Sequence, residues 1–521
     1  MNTFPWLTLL VVVPLVGALV VPFVPRRAAL PQQVGLGFAV VTLLAAAVMA
    51  SGYDVDGGVQ FTEEHEWIAA LGVHYALGVD GLGLLMVLLT VVLVPIVIVA
   101  SWNDLRDGSS LASSGTESAH GGAGRFVAWT LLLEAFSVAV FAATDVFLFY
   151  IVFEATLIPA YFLIGGFGRE GRSRAAVKFL IYQLAGGLIM LASVIGFYVV
   201  SARAGSPTYL VSDLAALDID PVTQRYLFLG FFIAFAIKAP MFPVHTWLAD
   251  TTEKATTGTS VLLVCILDKI GTYGMLRFCL ELLPDASRWA TPVVVVLALI
   301  SIVYGALVAI GQDDVLRLIG LTSLSHFGLI VLGIFVLTDQ GGTGAILYMV
   351  NHGIATAALF LIAGMLIRRR GTTLISQMSG VERTQPVLAG TFLVAGLAAC
   401  GLPGLSPFVS EMLVIISAFD YAWWAGAVAV SAIVLAAVYI LWMYQRTMTG
   451  PGRPDVEPVV AADLDRRELG VVAPLLAALL LFGFYPMPVL DVINPTVDST
   501  LAEVGVTPDG PTVPTTGEEG H

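Results

Sequence analysis

The sequence predicts an all-α polytopic membrane protein with about fourteen transmembrane helices, and three observations predict it. Of its 521 residues 58% are hydrophobic and only 12% are charged, more apolar surface than one or two soluble cores can hide. Apolar runs of about 20 residues, the length that crosses a ~30 Å hydrocarbon core, recur fourteen times. They centre on 4–24, 32–51, 79–101, 125–143, 146–166, 176–200, 226–248, 258–281, 291–310, 317–337, 343–367, 386–417, 423–446 and 470–490. The third observation is that the basic residues sort to one side of these runs.

The first run has no basic segment ahead of it in MNTFPW, and Arg26 and Arg27 follow it. That pattern predicts an uncleaved first helix with its N-terminus outside. An even number of spans returns the C-terminus to the same face. In that frame three of the 24 basic residues, Lys178, Lys238 and Lys269, fall within spans, and 17 fall on cytoplasmic loops or span ends. Only Arg203, Arg225, Arg277 and Arg288 fall outside, so the positive-inside preference supports both the orientation and the count.

The net charge of −14 resides largely in outer segments such as YDVDGGVQFTEEHEW (53–67) and in the tail ending GEEGH. No basic face is left for a nucleic acid. Cys265, Cys279 and Cys400 form no CxxC and no metal-ligand spacing, and read as small buried residues. No Gly-rich phosphate loop follows a strand, and no haem or Fe–S ligand set is present. The chain is therefore expected to hold no catalytic, cofactor-binding or metal site of its own. The Ser/Gly-rich loop 103–124 is expected to be mobile, and the last thirty residues, rich in Pro, Thr, Gly and acids, to be disordered or laid along the outer surface.

Only four lysines occur, and three of them sit inside apolar spans, whereas every other basic position except Lys254 is Arg. Arg keeps its proton in a protein, while a buried Lys can give one up. The spans also hold Glu134, Glu154, His326, His352 and Glu411. Ionisable groups within a membrane cost several kcal/mol and mark function by default. Singly, Glu134 could neutralise a lysine and His326 could bridge packed helices; eight such residues across the membrane middle call for one explanation.

Their spacing supplies it. Glu154 to His326, Lys178 to His352 and Lys238 to Glu411 are 172, 174 and 173 residues apart. A near-constant offset means that spans five to seven recur as ten to twelve, and a shift of five helices reverses the direction of crossing, giving inverted-topology repeats. The chain then divides into an N-terminal three-helix segment with a cytoplasmic loop (1–124), a first inverted repeat of spans four to eight (125–285), a second of spans nine to thirteen (286–450), and a cytoplasmic loop, span fourteen and acidic outer tail (451–521). Spans seven and twelve are both broken, at KAPMFP (238–243) and GLPGLSP (401–407). The breaks do not obey the same offset, since Pro240 and Pro243 follow the lysine and Pro403 and Pro407 precede the glutamate. A broken span leaves amides and carbonyls that are tolerated only within protein or beside a water-filled cavity. Lys238 beside such a break can be wetted in one state and desolvated in another, and movement of a carboxylate such as Glu154 would load or eject its proton.

The runs DVFLFYIVFEATLIPAYFLIGGFG (145–168), KAPMFPVHTWLAD (238–250), LTSLSHFG (321–328), NHGIATAALFLIAGML (351–366), GLPGLSPFVSEMLVIISAF (401–419) and DLDRRELGVVAPLLAALLLFGFYP (463–486) resemble the antiporter-like subunits of respiratory complex I, over nearly the whole chain and in order. The resemblance implies a proton-translocating membrane subunit of NADH-quinone oxidoreductase, with NADH, FMN, Fe–S clusters and quinone in partner subunits. Within the family, L-like and N-like subunits and the related cation/proton antiporter subunits usually carry Lys at the position of Glu411, and the L-like chain adds a long lateral helix for which 521 residues leave no room. A cation/proton antiporter subunit and a hydrogenase-linked proton pump are the alternative readings.

Carried over residue by residue, the resemblance makes Glu154 the helix-five carboxylate, Lys238 the lysine of the broken helix, Lys269 the central connecting lysine, His326 and His352 the connecting histidines and Glu411 the terminal carboxylate. Glu134, Lys178, His245 and Asp268 are further candidates for the relay. The implied partners are the other complex I subunits, L-like and N-like neighbours among them, and the implied setting is a bacterial plasma membrane. Three departures stand out. Lys254, Ala255 and Thr256 replace the acidic residue and Pro usual after HTWL, so the loop after span seven is expected to be held differently. Asp268 stands where an apolar residue is usual, and Leu316 and Leu321 replace residues commonly polar, which would alter proton entry at the cytoplasmic end of span ten.

Overall fold

A segment that enters hydrocarbon must satisfy its own backbone, which makes each apolar run a helix. The computed structural model describes residues 4–25, 29–103, 119–451 and 462–506. Twelve helices among them are long and apolar enough to cross a membrane. They are span one (Trp6–Phe23), two (Leu30–Ser51), three (Gly81–Ala100), four (Gly122–Ala142), five (Val146–Phe167), six (Arg172–Ala204), eight (Thr257–Leu280), nine (Pro284–Ile310), ten (Val315–Phe335), eleven (Asp339–Arg370), thirteen (Trp423–Met448) and fourteen (Arg466–Phe484). The other two crossings are split. Span seven comprises Pro221–Lys238 and Thr246–Lys254, and span twelve Pro386–Ala399 and Ser406–Tyr421. The fold is thus the helical membrane architecture that the sequence predicts, interrupted at the two places its prolines and glycines mark. Spans eight and ten are buried throughout and eleven nearly so, and they form the centre of the molecule.

The breaks are satisfied from within. In span seven Met241 N reaches back to Ala236 O at 2.9 Å, Trp247 Nε1 donates to Ile237 O at 3.0 Å, and Phe242 N donates to Ser301 Oγ at 3.0 Å. In span twelve Gly401 and Gly404 take φ of +68° and +91°, a left-handed backbone that glycine adopts without strain, and Asn351 Nδ2 of span eleven donates to Ser406 O at 2.8 Å. Span five carries a third interruption, between Val146–Ala155 and Leu157–Phe167. Pro159 explains it, because it lacks the N–H that would meet Ala155 O and its ring crowds that carbonyl. Span eight instead contains two π-helical stretches, Leu263–Leu267 and Met275–Leu280.

A repeat between spans five and ten is visible in the backbone. At the start of span five Val146 N bonds Tyr209 O and Val211 N bonds Thr144 O; at the start of span ten Val315 N bonds Thr373 O and Ile375 N bonds Asp313 O. Asp145 and Asp314 cap these two helices through the second and third amides after them. Span six packs on seven as eleven packs on twelve.

Two segments differ from expectation. Residues Gln60–Ile68 and Val73–Val79 form an antiparallel hairpin, a small addition to the helical architecture. The Glu63 carboxylate on it accepts from Leu7 N at 2.8 Å and Thr8 N at 3.2 Å, placing negative charge at the start of span one, where a helix favours it. Met487–Glu503 is a helix rather than disordered tail, because Val489, Ile493, Val497 and Leu501 recur every fourth residue and are buried on one stripe. Thr496 Oγ1 accepts from Gly81 N at 3.1 Å, and Thr500 Oγ1 donates to Glu281 Oε1 at 3.0 Å. The rest of that tail (507–521) and most of the Ser/Gly-rich loop (104–118) lie outside the described residues.

Residues 462–468 clip the ends of spans three, eleven, twelve and fourteen together. Arg369 of span eleven pairs with Glu468 at 2.6 Å, both 3% exposed, and its remaining donors reach Met365 O, Ala462 O and Asp463 O. The Asp463 carboxylate accepts from Val387 N and Leu388 N at the start of span twelve, and Arg467 donates to Val99 O and Ala100 O at the end of span three. Removing one partner of a buried pair strands the other charge at a cost of about 3–5 kcal/mol. Arg369→Ala is therefore expected to lower the thermal stability of the assembled complex far more than substitution of the exposed Arg466 by Ala, read as loss of intact complex on native gels after a heat step.

Candidate functional site: a buried polar axis

Lys238 is the last residue of the first half of span seven and is 1% exposed. Its Nζ donates to Thr156 Oγ1 at 3.2 Å, at the interruption of span five, and lies 4.5 Å from the Phe153 ring centroid, a cation–π contact. Glu154 lies beside it, close enough for the two charges to attract, without a direct ion pair among the described residues. The Glu154 carboxylate is accommodated by Gly187 of span six, where a Cβ would fall 1.6 Å from Oε1. That oxygen is buried with no hydrogen-bond partner.

The next lysine sits at the heart of the molecule. Lys269 follows the first π-helical stretch of span eight and is fully buried. Its Nζ donates to Val264 O at 2.9 Å, meets His352 Nδ1 at 2.8 Å and lies 5.0 Å from the Phe327 ring centroid. With Lys269 as an ammonium, Nδ1 accepts and the neutral ring carries its proton on Nε2, which has no hydrogen-bond partner. His352 packs edge-on to His326, with ring centroids 5.2 Å apart. His326 Nε2 lies 3.1 Å from the Tyr439 hydroxyl. Tyr348, whose ring is 5.9 Å from that of His326, donates its hydroxyl to Glu411 Oε1 at 2.5 Å. The other Glu411 oxygen abuts Gly401, where a Cβ would lie 2.1 Å away.

The structure thus sets the half-buried Glu154 beside Lys238, and separately connects buried Lys269 through His352, His326 and Tyr348 to Glu411. Asp268 is also buried, with Lys238 and Lys269 as its charged neighbours. The other candidates stand apart. Lys178 lies apart from these groups: its side chain is 33% exposed and 2.6 Å from Asp250 Oδ2. It stands in the second turn of span six, a helix of 33 residues. Arg317 joins the same cluster through Asp250 at 2.7 Å and Glu253 at 2.8 Å. The loop at Lys254 is held by its own contacts, with Arg169 N donating to Lys254 O at 2.6 Å and Lys254 Nζ pairing with Glu253. Leu316 and Leu321 are buried core residues. His245 is buried between the rings of Phe242 and Tyr304. Glu134 shares one face of span four with Thr130 and Ser137, and the polar oxygens of all three side chains are buried without hydrogen-bond partners.

Sequence reasoning missed Thr156, Tyr348 and Tyr439. Tyr348 was legible in principle: it lies four residues before His352 on the same helical face, and a buried tyrosine hydroxyl seeks a partner. Tyr439 had no such signal, because its partner comes from a span far away in sequence. Among the described residues no three His, Cys, Asp or Glu side chains cluster to hold a metal ion.

A family model described as NADH:quinone oxidoreductase/Mrp antiporter, transmembrane, matches residues 143–436. NADH-quinone oxidoreductase subunit M of Mycobacterium tuberculosis is 50% identical, with 98% of this chain and 97% of that protein covered. The subunit M of Rhodobacter capsulatus is 37% identical over 89% of each chain. Among solved structures, a chain of respiratory complex I from Thermus thermophilus with bound NADH superposes with a TM-score of 0.85 at 31% identity, covering 96% of this chain and 100% of that one.

The glycine facing Glu154 offers a test of the packing independent of transport. Gly187→Ala is expected to cost on the order of 1–3 kcal/mol, as overpacking does, and the cost should largely vanish when Glu154→Ala is present in the same chain. The measurement is a double-mutant cycle on the thermal stability of the assembled complex; additive losses would show that the carboxylate does not occupy the space the glycine leaves.

Proposed function

The chain belongs to the antiporter-like membrane subunits of NADH-quinone oxidoreductase, in the subunit M branch, and on that premise we propose that its protons travel along the buried axis Glu154, Lys238, Lys269, His352, His326 and Glu411. It is a proton-translocating, multi-pass membrane subunit of complex I, working with the other subunits of that assembly. The observation that carries the assignment of the route is the continuous contact from Lys269 Nζ to His352 and on to the His326 ring. It joins a lysine at the centre of the molecule to the Tyr348–Glu411 hydrogen bond in the second repeat.

In this reading the first repeat loads the axis. The Glu154 carboxylate attracts the Lys238 ammonium; when it approaches, Lys238 holds a proton, and when it withdraws, burial favours release of that proton toward span eight. Lys269 and the two imidazoles carry it laterally, since each imidazole can accept on one nitrogen and donate from the other. Glu411 receives it at the break in span twelve and delivers it outward. Glu134 and His245, both buried, are candidate feeders from the cytoplasmic side. The polar cluster around Lys178 instead ties span six, the second half of span seven and span ten together at that face.

The reaction energy comes from outside the chain: NADH oxidation, FMN, Fe–S clusters and quinone are assigned to partner subunits, with L-like and N-like subunits as membrane neighbours. The distribution of basic residues supports a bacterial plasma membrane orientation with both termini on the outer face. The deciding experiment compares NADH-driven proton pumping with NADH oxidation in inverted membrane vesicles, for wild type and Lys238→Ala at matched assembly. Pumping is expected to fall by an order of magnitude or more, the ~10²–10⁴ scale on which a positioned proton-transfer group acts, with turnover falling alongside it. Unchanged pumping would remove Lys238 from the route.

A further inference from the structure

Between Lys238 and Lys269 the axis has no direct link. Lys238 bonds to Thr156, and Lys269 to Val264 O and His352. A proton passing from one lysine to the other therefore needs a group that reaches both.

Span eight meets span seven most closely at the break. A Cβ on Gly271 would lie 2.5 Å from Ala239 N and 2.6 Å from Phe235 O, and one on Gly274 would strike the Phe235 ring. Asp268 precedes Gly271 by three residues and so lies one turn along the same face, the face turned to the end of the half-helix that carries Lys238. Both Lys269 and Lys238 are close enough to attract its charge. The side chain is 1% exposed, and Oδ2 has no hydrogen-bond partner. A buried carboxylate oxygen without a donor costs stability, so packing alone does not account for an acid here.

We propose that Asp268 is the proton-stepping carboxylate between the two lysines. The Lys238 ammonium gives its proton to the Asp268 carboxylate, leaving a neutral amine and a carboxylic acid; the acid then gives the proton to the Lys269 amine and returns to carboxylate. One proton moves, no net charge is created, and the order along the axis, Glu154, Lys238, Asp268, Lys269, alternates acid and base. The step rests on reading the axis as the proton route.

The test uses the assembled complex in inverted vesicles, with pumping and NADH oxidation measured together for Asp268→Asn, Asp268→Glu and Asp268→His. Asp268→Asn keeps the shape and removes the proton-accepting group; pumping should fall roughly tenfold, less than the ~10²–10⁴ of a fully lost acid–base group because water entering the site carries part of the flux. Asp268→Glu should return it to within about twofold of wild type. Asp268→His separates a proton carrier from a fixed counter-charge: pumping above the Asn level supports the step, whereas His as impaired as Asn with Glu active assigns Asp268 a counter-charge role and overturns it. Should Asp268→Asn not assemble, the His and Glu variants decide in the same way. Wild-type pumping in Asp268→Asn alongside failure in Lys238→Ala overturns the step and leaves the axis standing; wild-type pumping in both removes the axis itself.

Discussion

Within hydrocarbon there is no water to accept a stray amide or carbonyl, and the rest of this structure follows from how the chain meets that constraint where its helices are interrupted. Trp247 covers a carbonyl at the break in span seven, Asn351 covers one at the break in span twelve, and Lys269 takes one beside the π-helical stretch of span eight. Each interruption therefore gathers polar side chains around it. The ionisable axis runs through those gatherings because a charge is cheapest where the backbone has already made the interior polar.

The same economy governs the two carboxylates. Glu154 and Glu411 come from different repeats and different kinds of break, yet each lies against a glycine whose missing Cβ is the space it occupies. A larger residue at Gly187 or Gly401 would occupy the place of the acid. Lys238 and Lys269 have an aromatic face instead, Phe153 and Phe327 at 4.5 and 5.0 Å, which solvates a cation without supplying a counter-charge that would hold it fixed. Acids against glycine and cations against rings leave both kinds of group free to change protonation without repacking the core.

Most of the scaffold was legible in the sequence, because span length, positive-inside charge and Pro or Gly breaks each follow from one local cause. Apolar runs, however, do not report depth. Lys178 sits in such a run and still is a third exposed and paired with Asp250, since nothing in the run says which of its turns the fold leaves open. The helix 487–503 was hidden by Pro495 and its acids although its apolar residues kept period four. Of the site, the ionisable residues stood out as charges in hydrocarbon, but Tyr348 and Tyr439 carry no charge, and their role depends on partners 63 residues away in one case and 113 in the other. Contacts of that kind belong to the tertiary fold.

The mismatch between the two repeats also has a physical origin. Lys238 precedes its break while Glu411 follows its own, so the two residues cannot occupy equivalent places on a shared template of breaks. A helix ends in partial negative charge and begins in partial positive charge. Lys238 is the final residue of its half-helix, where exposed carbonyls favour a cation. Glu411 lies in the half-helix that begins at Ser406, and its side chain, directed toward the helix N-terminus as helical side chains are, brings the carboxylate back against Gly401 at the break, where free amides favour an anion. In this chain each charge therefore sits at the helix end whose partial charge opposes its own. The opposite order of charge and break in the two repeats thus agrees with the opposite polarity of the two helix ends.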